Sequence, residues 1–324
     1  MSMNTTDTPR NHNGLIQPYD IIGDIHGYAD VLEELLRKLG YDKLAGTWRH
    51  RHGRKALFLG DYIDRGPSIR RTLRIVRGMV EKGEAVAIMG NHEYNALLYH
   101  MPDGKGGWLR PHVSKNIGQH AVTLAQFWNH RDEWHDHLAW FSRLPLWLDL
   151  GDFRAVHASW NDRLITERPD CRILDADSLR RSATKGTAEY VLCDTLLKGP
   201  EVELPPGYNF TDKESTVRTK MRLKWWLSAK SGTYHELCMP QSETIPHLPI
   251  PEAVESLCLG YAPSAPPVFF GHYWLPFHGE LRPIASNMAC LDFSVAKDGA
   301  LVAYRWDGEQ TLAADKLVFV KAQK

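Results

Sequence analysis

The sequence runs to 324 residues, 43% of them hydrophobic, which supports a real core in one large or two modest domains. Lys plus Arg and Asp plus Glu both number 39, so no global field draws the chain to nucleic acid or to a membrane surface. No apolar stretch approaches the roughly 20 residues of a membrane span, and five cysteines (171, 193, 238, 258 and 290) without a Cys-x-x-Cys pair fit reduced thiols in a cytoplasmic protein.

Residues 1–17 are polar, lack an apolar targeting segment and are expected to form a disordered leader. The first legible unit is a short strand, Tyr19-Asp20-Ile21-Ile22-Gly23. It runs into Asp24-Ile25-His26-Gly27, and Val31, Leu32, Leu35, Leu36 and Leu39 then recur at helical spacing until Gly40 ends the run. Asp24 and His26, two apart in an extended turn, can present one oxygen and one nitrogen to the same side, the start of a mixed site for Mn, Fe, Zn or a similar ion. Residues 46–55 are basic, and His50 and His52 alternate as in a solvated hairpin.

The second unit is the apolar run Ala56-Leu57-Phe58-Leu59, the turn Gly60-Asp61-Tyr62-Ile63-Asp64-Arg65-Gly66, and a helix with Ile69, Leu73, Val76, Met79 and Val80 on one face. Carboxylates bind hard cations, and a guanidinium grips phosphate through two parallel hydrogen bonds. The third unit is strand 85–89, the turn Gly90-Asn91-His92-Glu93 and a helix from Tyr94. Three strand–turn–helix units within about 80 residues imply parallel strands, which set the three polar turns along one sheet edge. That convergence carries more weight than any single motif.

A Gly- and Pro-containing loop spans 100–113, and a helical, aromatic stretch spans 114–142. His120, His130, His135 and His137 lie there as surface or interface residues, since no carboxylate turn frames them. Two strand-like runs follow, the second delivering His157, which reads as a metal ligand completing the polar turns. Residues 160–265 hold no period and read as an irregular elaboration covering the site. Within it, 216–228 is expected as a basic helix in which Arg218 or Arg222 supplies a second phosphate-gripping guanidinium. Val268-Phe269-Phe270-Gly271-His272 is again a strand ending in a histidine, and 288–295 with 299–306 reads as a terminal hairpin.

The ordered set Gly-Asp-x-His-Gly (23–27), Gly-Asp-x-x-Asp-Arg-Gly (60–66), Gly-Asn-His-Glu (90–93), the strand-end His157 and Gly271-His272 resembles the phosphoprotein phosphatase family of the calcineurin-like metallophosphoesterase superfamily. Where eukaryotic members show His-Gly-Gly, this chain has His157-Ala158-Ser159. The arrangement is closer to the bacterial serine/threonine phosphatase and diadenosine-tetraphosphatase-like branch.

The resemblance implies a four-layer α/β/β/α sandwich of two mixed sheets. The single domain then spans 18–310, with a helical insertion at 100–142, a cover at 160–265 and a C-terminal tail at 311–324. It implies two divalent metal ions, Mn first and Fe, Zn or Co as alternatives. Asp24, His26 and Asp61 would hold one ion. Asp61, Asn91, His157 and His272 would hold the other, with Asp61 bridging. His92 is implied as general acid oriented by Asp64, and Arg65 as the phosphate clamp, with Asn91, Arg218 and Arg222 also facing substrate. The implied reaction is in-line attack on a phosphate monoester by a metal-bridging hydroxide. A phosphorylated protein or small phosphoester is the first substrate class, dinucleoside polyphosphate hydrolysis the alternative, and a non-catalytic binding protein the third. No membrane or nucleic-acid partner is expected.

Overall fold

The computed structural model describes residues 16–211, 217–230, 232–239, 242–255 and 258–322. Most of the expected leader therefore lies outside the described residues, as does the start of the expected basic helix. At the leader's end Gln17 is already fixed, its side-chain amide donating to the Gly53 carbonyl at 2.8 Å.

The three strand–turn–helix units form as their periodicity requires. Strands Tyr19–Ile22, Lys55–Phe58 and Ala85–Ala87 lie side by side in parallel, with Ile22 opposite Phe58 and Phe58 opposite Ala87. Their polar turns consequently emerge at one edge. Alternation along each strand splits its side chains between two cores. Ile22 and Phe58 pack under helices Ala29–Leu39 and Ile69–Glu81, whereas Ile21 and Leu57 face a second sheet. That second sheet orders its strands Met288–Cys290, Val268–Phe270, Arg154–Val156 and Trp147–Asp149. Phe153, Phe269, Tyr304 and Trp306 fill the space between the sheets, all fully buried. This is the metallophosphoesterase fold, a mixed α/β sandwich.

Several expectations are corrected. The hairpin expected from 288–295 and 299–306 forms only in part, over Asp292–Phe293 and Ala300–Leu301. Met288–Cys290 runs parallel to Val268–Phe270 in the second sheet, and after Leu291 the chain crosses so that Asp292–Phe293 pairs with Ala300–Leu301 in the first. Nor is 311–324 a tail, because Leu317–Lys321 adds a strand along Ala300–Tyr304. The hairpin 41–50 forms, but His50 is buried and its Nε2 lies 3.1 Å from the Leu39 carbonyl.

The largest departure is in 160–265. Helices Asp162–Glu167, Ala176–Ser182 and Ala188–Lys198 fold there, each with a side-chain cap, from Asn161, Asp175 and Thr187 respectively. Those cap residues were the available signal. The expected basic helix is instead strands Val217–Arg218 and Lys220–Leu223, the latter between Glu201–Glu203 and Cys238–Met239. Alternating charge and apolarity in Lys220-Met221-Arg222-Leu223 is a strand pattern, with Met221 and Leu223 buried. The turn carrying Trp225 and Trp226 packs both rings on Phe270, closing the outer face of the second sheet. All five cysteines are free and buried. Among the described residues no helix is long and apolar enough to cross a membrane.

Candidate metal centre

The strand-end turns are tied to one another by backbone before any side chain meets. The amides of Ile25 and His26 both donate to the Asp61 carbonyl, at 3.1 and 2.7 Å, and the Gly66 amide donates to the His26 carbonyl at 2.7 Å. A Cβ on Gly90 would sit 2.2 Å from the Asp61 amide nitrogen, so only glycine lets the second and third turns touch. His26, Asp61, Asp64, Arg65, His272 and Trp274 all adopt positive φ, six of the nine non-glycine residues that do so among those described. Strain of this kind persists only where surrounding structure enforces it.

Glu93 does much of that enforcing, a role the sequence reading missed. Its buried carboxylate accepts from the amides of Asp61 (2.8 Å), Tyr62 (2.8 Å) and Gly90 (3.0 Å). Three amides converging on one acidic side chain pin two turns together.

The side chains then assemble around Asp61. His26 Nε2 stands 3.6 Å from Asp61 Oδ2, and His157 Nε2 stands 3.4 Å from Asp61 Oδ1. His26, Asp61 and His92 form one group of ligand atoms close enough to hold an ion, and Asp61, His157 and His272 form another. Asn91 joins the second group, with its Oδ1 3.1 Å from His157 Nε2 and 2.7 Å from His272 Nδ1. Asp24 is buried beside them, and its Oδ2 accepts from the His272 amide at 3.1 Å.

Tautomers are set by carbonyls, which can only accept. His26 Nδ1 donates to Ile63 at 3.0 Å and His157 Nδ1 donates to Leu59 at 2.8 Å, so in both rings Nε2 is the nitrogen directed inward.

Three observations show that this donor set fits divalent cations. Asp24 Oδ1, His26 Nε2 and His272 Nε2 are buried and make no hydrogen bond among the described residues, a costly condition for polar atoms. A Cβ on Gly271 would fall 2.0 Å from Asp24 Oδ1, so glycine there keeps the carboxylate's approach open. Burial pushes the His26 imidazole down to about 3 and His272 well below its ordinary range, so both present neutral nitrogens. His157 behaves oppositely. Burial lowers it, but Asp61 and Asp24 outweigh burial and push it up to about 10, so a cation would displace a proton there.

His92 differs from the other histidines. Its Nδ1 lies 2.6 Å from Asp64 Oδ2 while its Nε2 faces the cluster, 3.9 Å from Asp61 Oδ2. Asp64 is buried yet held well below the usual carboxylate range, because hydrogen bonds from His120 and His92 outweigh burial. Asp64 Oδ1 accepts from His120 Nδ1 at 2.9 Å and from the Thr123 hydroxyl at 2.5 Å. His120 is therefore no surface residue. It is 5% exposed and braces the His92 partner, in a contact 56 positions apart that no local signal reveals. His137 is also buried, against Phe127, while His130 and His135 are exposed.

The cluster opens into a cleft of about 490 Å³. Asn91, Asn95 and Tyr99, one face of helix Asn91–His100, line one side with Arg110 and Gln119; Phe210, Arg218 and Arg222 line the cover side. Arg65 stacks its guanidinium 4.1 Å over the Trp274 ring. The structure thus places both Arg218 and Arg222 on the cleft, though on strands, and Arg222 also faces Glu201 at 3.7 Å.

A family model for calcineurin-like phosphoesterases matches residues 18–273. Among curated relatives, the asymmetrical bis(5'-nucleosyl)-tetraphosphatase PrpE of Oceanobacillus iheyensis is 32% identical over 151 residues, 46% of this chain and 59% of that one. The Bacillus subtilis protein of the same name is 46% identical over 74 residues, 23% of this chain and 30% of that one. The matches therefore span under two thirds of these relatives' lengths. Among solved structures, the cold-active protein tyrosine phosphatase of a psychrophilic Shewanella superposes with a TM-score of 0.47 at 17% identity, covering 99% of this chain and 83% of that one.

Proposed function

The chain belongs to the calcineurin-like phosphoesterase family, and we propose that it is a dinuclear-metal hydrolase whose substrate carries a polyphosphate chain, a dinucleoside polyphosphate being the class that fits. The observation that carries this reading is a pair of carboxylate–imidazole groups sharing Asp61 at the floor of a cleft walled by Arg65, Arg110, Arg218 and Arg222. The names of the curated relatives agree with it. Asp24, His26 and Asp61 would hold one cation, and Asp61, Asn91, His157 and His272 the other, with Mn the first candidate for both. When bound, the two cations supply Lewis acidity that activates water and neutralises phosphoryl charge.

The protein's own groups do the rest. Arg65, braced on Trp274, takes the non-bridging phosphoryl oxygens and fixes the phosphorus over the cluster. Asn91 contributes a neutral oxygen, which limits negative charge facing the substrate. His92 holds a proton on Nε2 for the leaving oxygen. Burial lowers this imidazole, but Asp61 and Asp64 outweigh burial and raise it above its ordinary value, which favours the donor form. Asp64, kept ionised by His120 and Thr123, orients the ring.

A second reading, phosphomonoester hydrolysis on a protein, draws on that same pair. A Ser or Thr alkoxide is a poor leaving group that needs a proton, whereas a nucleotide leaves readily without one. Both readings are tested together by comparing kcat/KM for diadenosine tetraphosphate with phosphoserine and phosphotyrosine peptides in Mn²⁺. Faster turnover of the dinucleotide supports the first reading. Peptide turnover with the dinucleotide untouched would replace it with the second.

A further inference from the structure

The far end of the cleft carries a cation that the reaction centre does not use. Helix Asn91–His100 starts at the cluster, and Asn91, Asn95 and Tyr99 face the cleft at successive turns. At about 1.5 Å per residue the cleft follows this helix for roughly 12 Å. The loop after it folds back alongside, with the Arg110 amide donating to the Leu98 carbonyl at 2.9 Å. Arg110 thus enters the cleft one to two turns from Asn91.

Its surroundings are unusual for a guanidinium. The side chain is half-buried, and its hydrogen-bond partner is the neutral Gln119 carboxamide at 2.5 Å. Among the described residues no carboxylate pairs with it within 4.0 Å, whereas Arg222 across the cleft faces Glu201. Burial pushes its pKa down, only partly offset by Asp64 and Tyr94, so its charge is under-compensated. Gln119 sits on the same face of helix Ser114–Phe127 as His120, one turn after Asn116, and all three line the cleft. The amide holds the guanidinium at the wall, and an anion lying along the helix would meet it after passing Arg65.

We propose that Arg110, positioned by Gln119, forms a second anion subsite that binds the distal phosphates of a linear polyphosphate. The residue thereby favours polyphosphates over monoesters. This rests on the proposed phosphoryl-binding role of the cluster. It goes beyond that role by assigning the residue that reads chain length. The competing account is a structural brace in which Arg110 only ties its loop to the helix.

The test is calorimetric titration of the Mn²⁺-loaded protein with orthophosphate and with tripolyphosphate. Excess Mg²⁺ in both keeps either ligand from stripping the bound cations. A charge-assisted contact predicts that wild type binds tripolyphosphate about tenfold or more tighter than orthophosphate, and that Arg110→Ala cuts this ratio to about threefold or less. Arg110→Lys should retain part of the preference and Gln119→Ala should lose a smaller part. Lys105→Ala, an exposed charge in the same loop, should leave the ratio unchanged. A ratio near one in wild type, or one that Arg110→Ala leaves intact while lowering Tm, would overturn the subsite and leave the brace. Turnover of diadenosine tetraphosphate by wild type, measured alongside, separates the two layers. An inactive protein whose ratio still depends on Arg110 would retire the catalytic reading alone. An active protein with an unaltered ratio would retire the subsite alone.

Discussion

The turn cluster and the cover are built in opposite ways. Every element of the cluster sits at the end of a short buried strand and is locked by backbone contacts between turns, by Glu93 and by enforced positive φ. The cover, from 160 to 265, instead reaches the main core through side chains such as Leu192, Leu196 and Leu223, and is tied by ion pairs, small sheets and the Trp225–Trp226 turn resting on Phe270. Under the proposed function the cluster would confer chemistry and the cover would confer access. Damage to the first should abolish reaction or fold, and damage to the second should change affinity.

The largest expected effect tests the cluster at its shared ligand. Asp61→Asn should reduce turnover on the order of 10³-fold or more, measured with saturating Mn²⁺. Residual activity within tenfold of wild type would break the distinction. Next is Glu93→Ala, which strands three buried amides and should cost roughly 3 kcal/mol or more in a denaturant titration. His92→Asn should keep metal content while slowing alkyl phosphates by about 10²-fold. It should slow p-nitrophenyl phosphate less, because that leaving group needs no proton. Equal losses on both substrates would remove His92 from the proton-donor role.

Effects in the cover should be smaller and of another kind. Arg222→Ala should raise KM for a polyphosphate substrate by about tenfold with metal stoichiometry unchanged. Glu189→Gln should lower Tm by only a few degrees. Hydrogen bonds from Arg168 and Arg181 hold the Glu189 carboxyl down at about 2, against an ordinary 4.5. A depressed carboxyl stabilises the fold fully above the unfolded value and loses that contribution as pH falls toward the folded one. The Tm gap between wild type and Glu189→Gln should accordingly be full at pH 7 and narrow below about pH 4.5.

The same contrast explains what the sequence made legible. Asp24, His26, Asp61, Asn91 and His92 follow short apolar runs with helical periodicity behind them, so a parallel sheet forces them together whatever the rest of the chain does. His157 and His272 close strands of the second sheet and reach the cluster only through packing between the sheets, yet each carries the same strand-then-histidine sign. His120, Thr123 and Glu93 were missed because each acts on a partner 31 or more positions away and touches no reacting atom. In 216–228, counting charges on a supposed helix obscured the two-residue alternation of Lys220 to Leu223, whose pairing partners lie at 201–203 and 238–239. The crossing of 288–293 between sheets turns on Leu291 alone, and no local pattern distinguishes it from a continuous strand.

On the proposed function two cation sites share Asp61 within one centre. Metal content of the purified, Mn²⁺-equilibrated chain tests it most directly, with His272→Ala measured beside wild type. Two equivalents per chain are expected in wild type and one in His272→Ala, the site at Asp24, His26 and Asp61 surviving. One equivalent or none in wild type, or no change on removing His272, would contradict it.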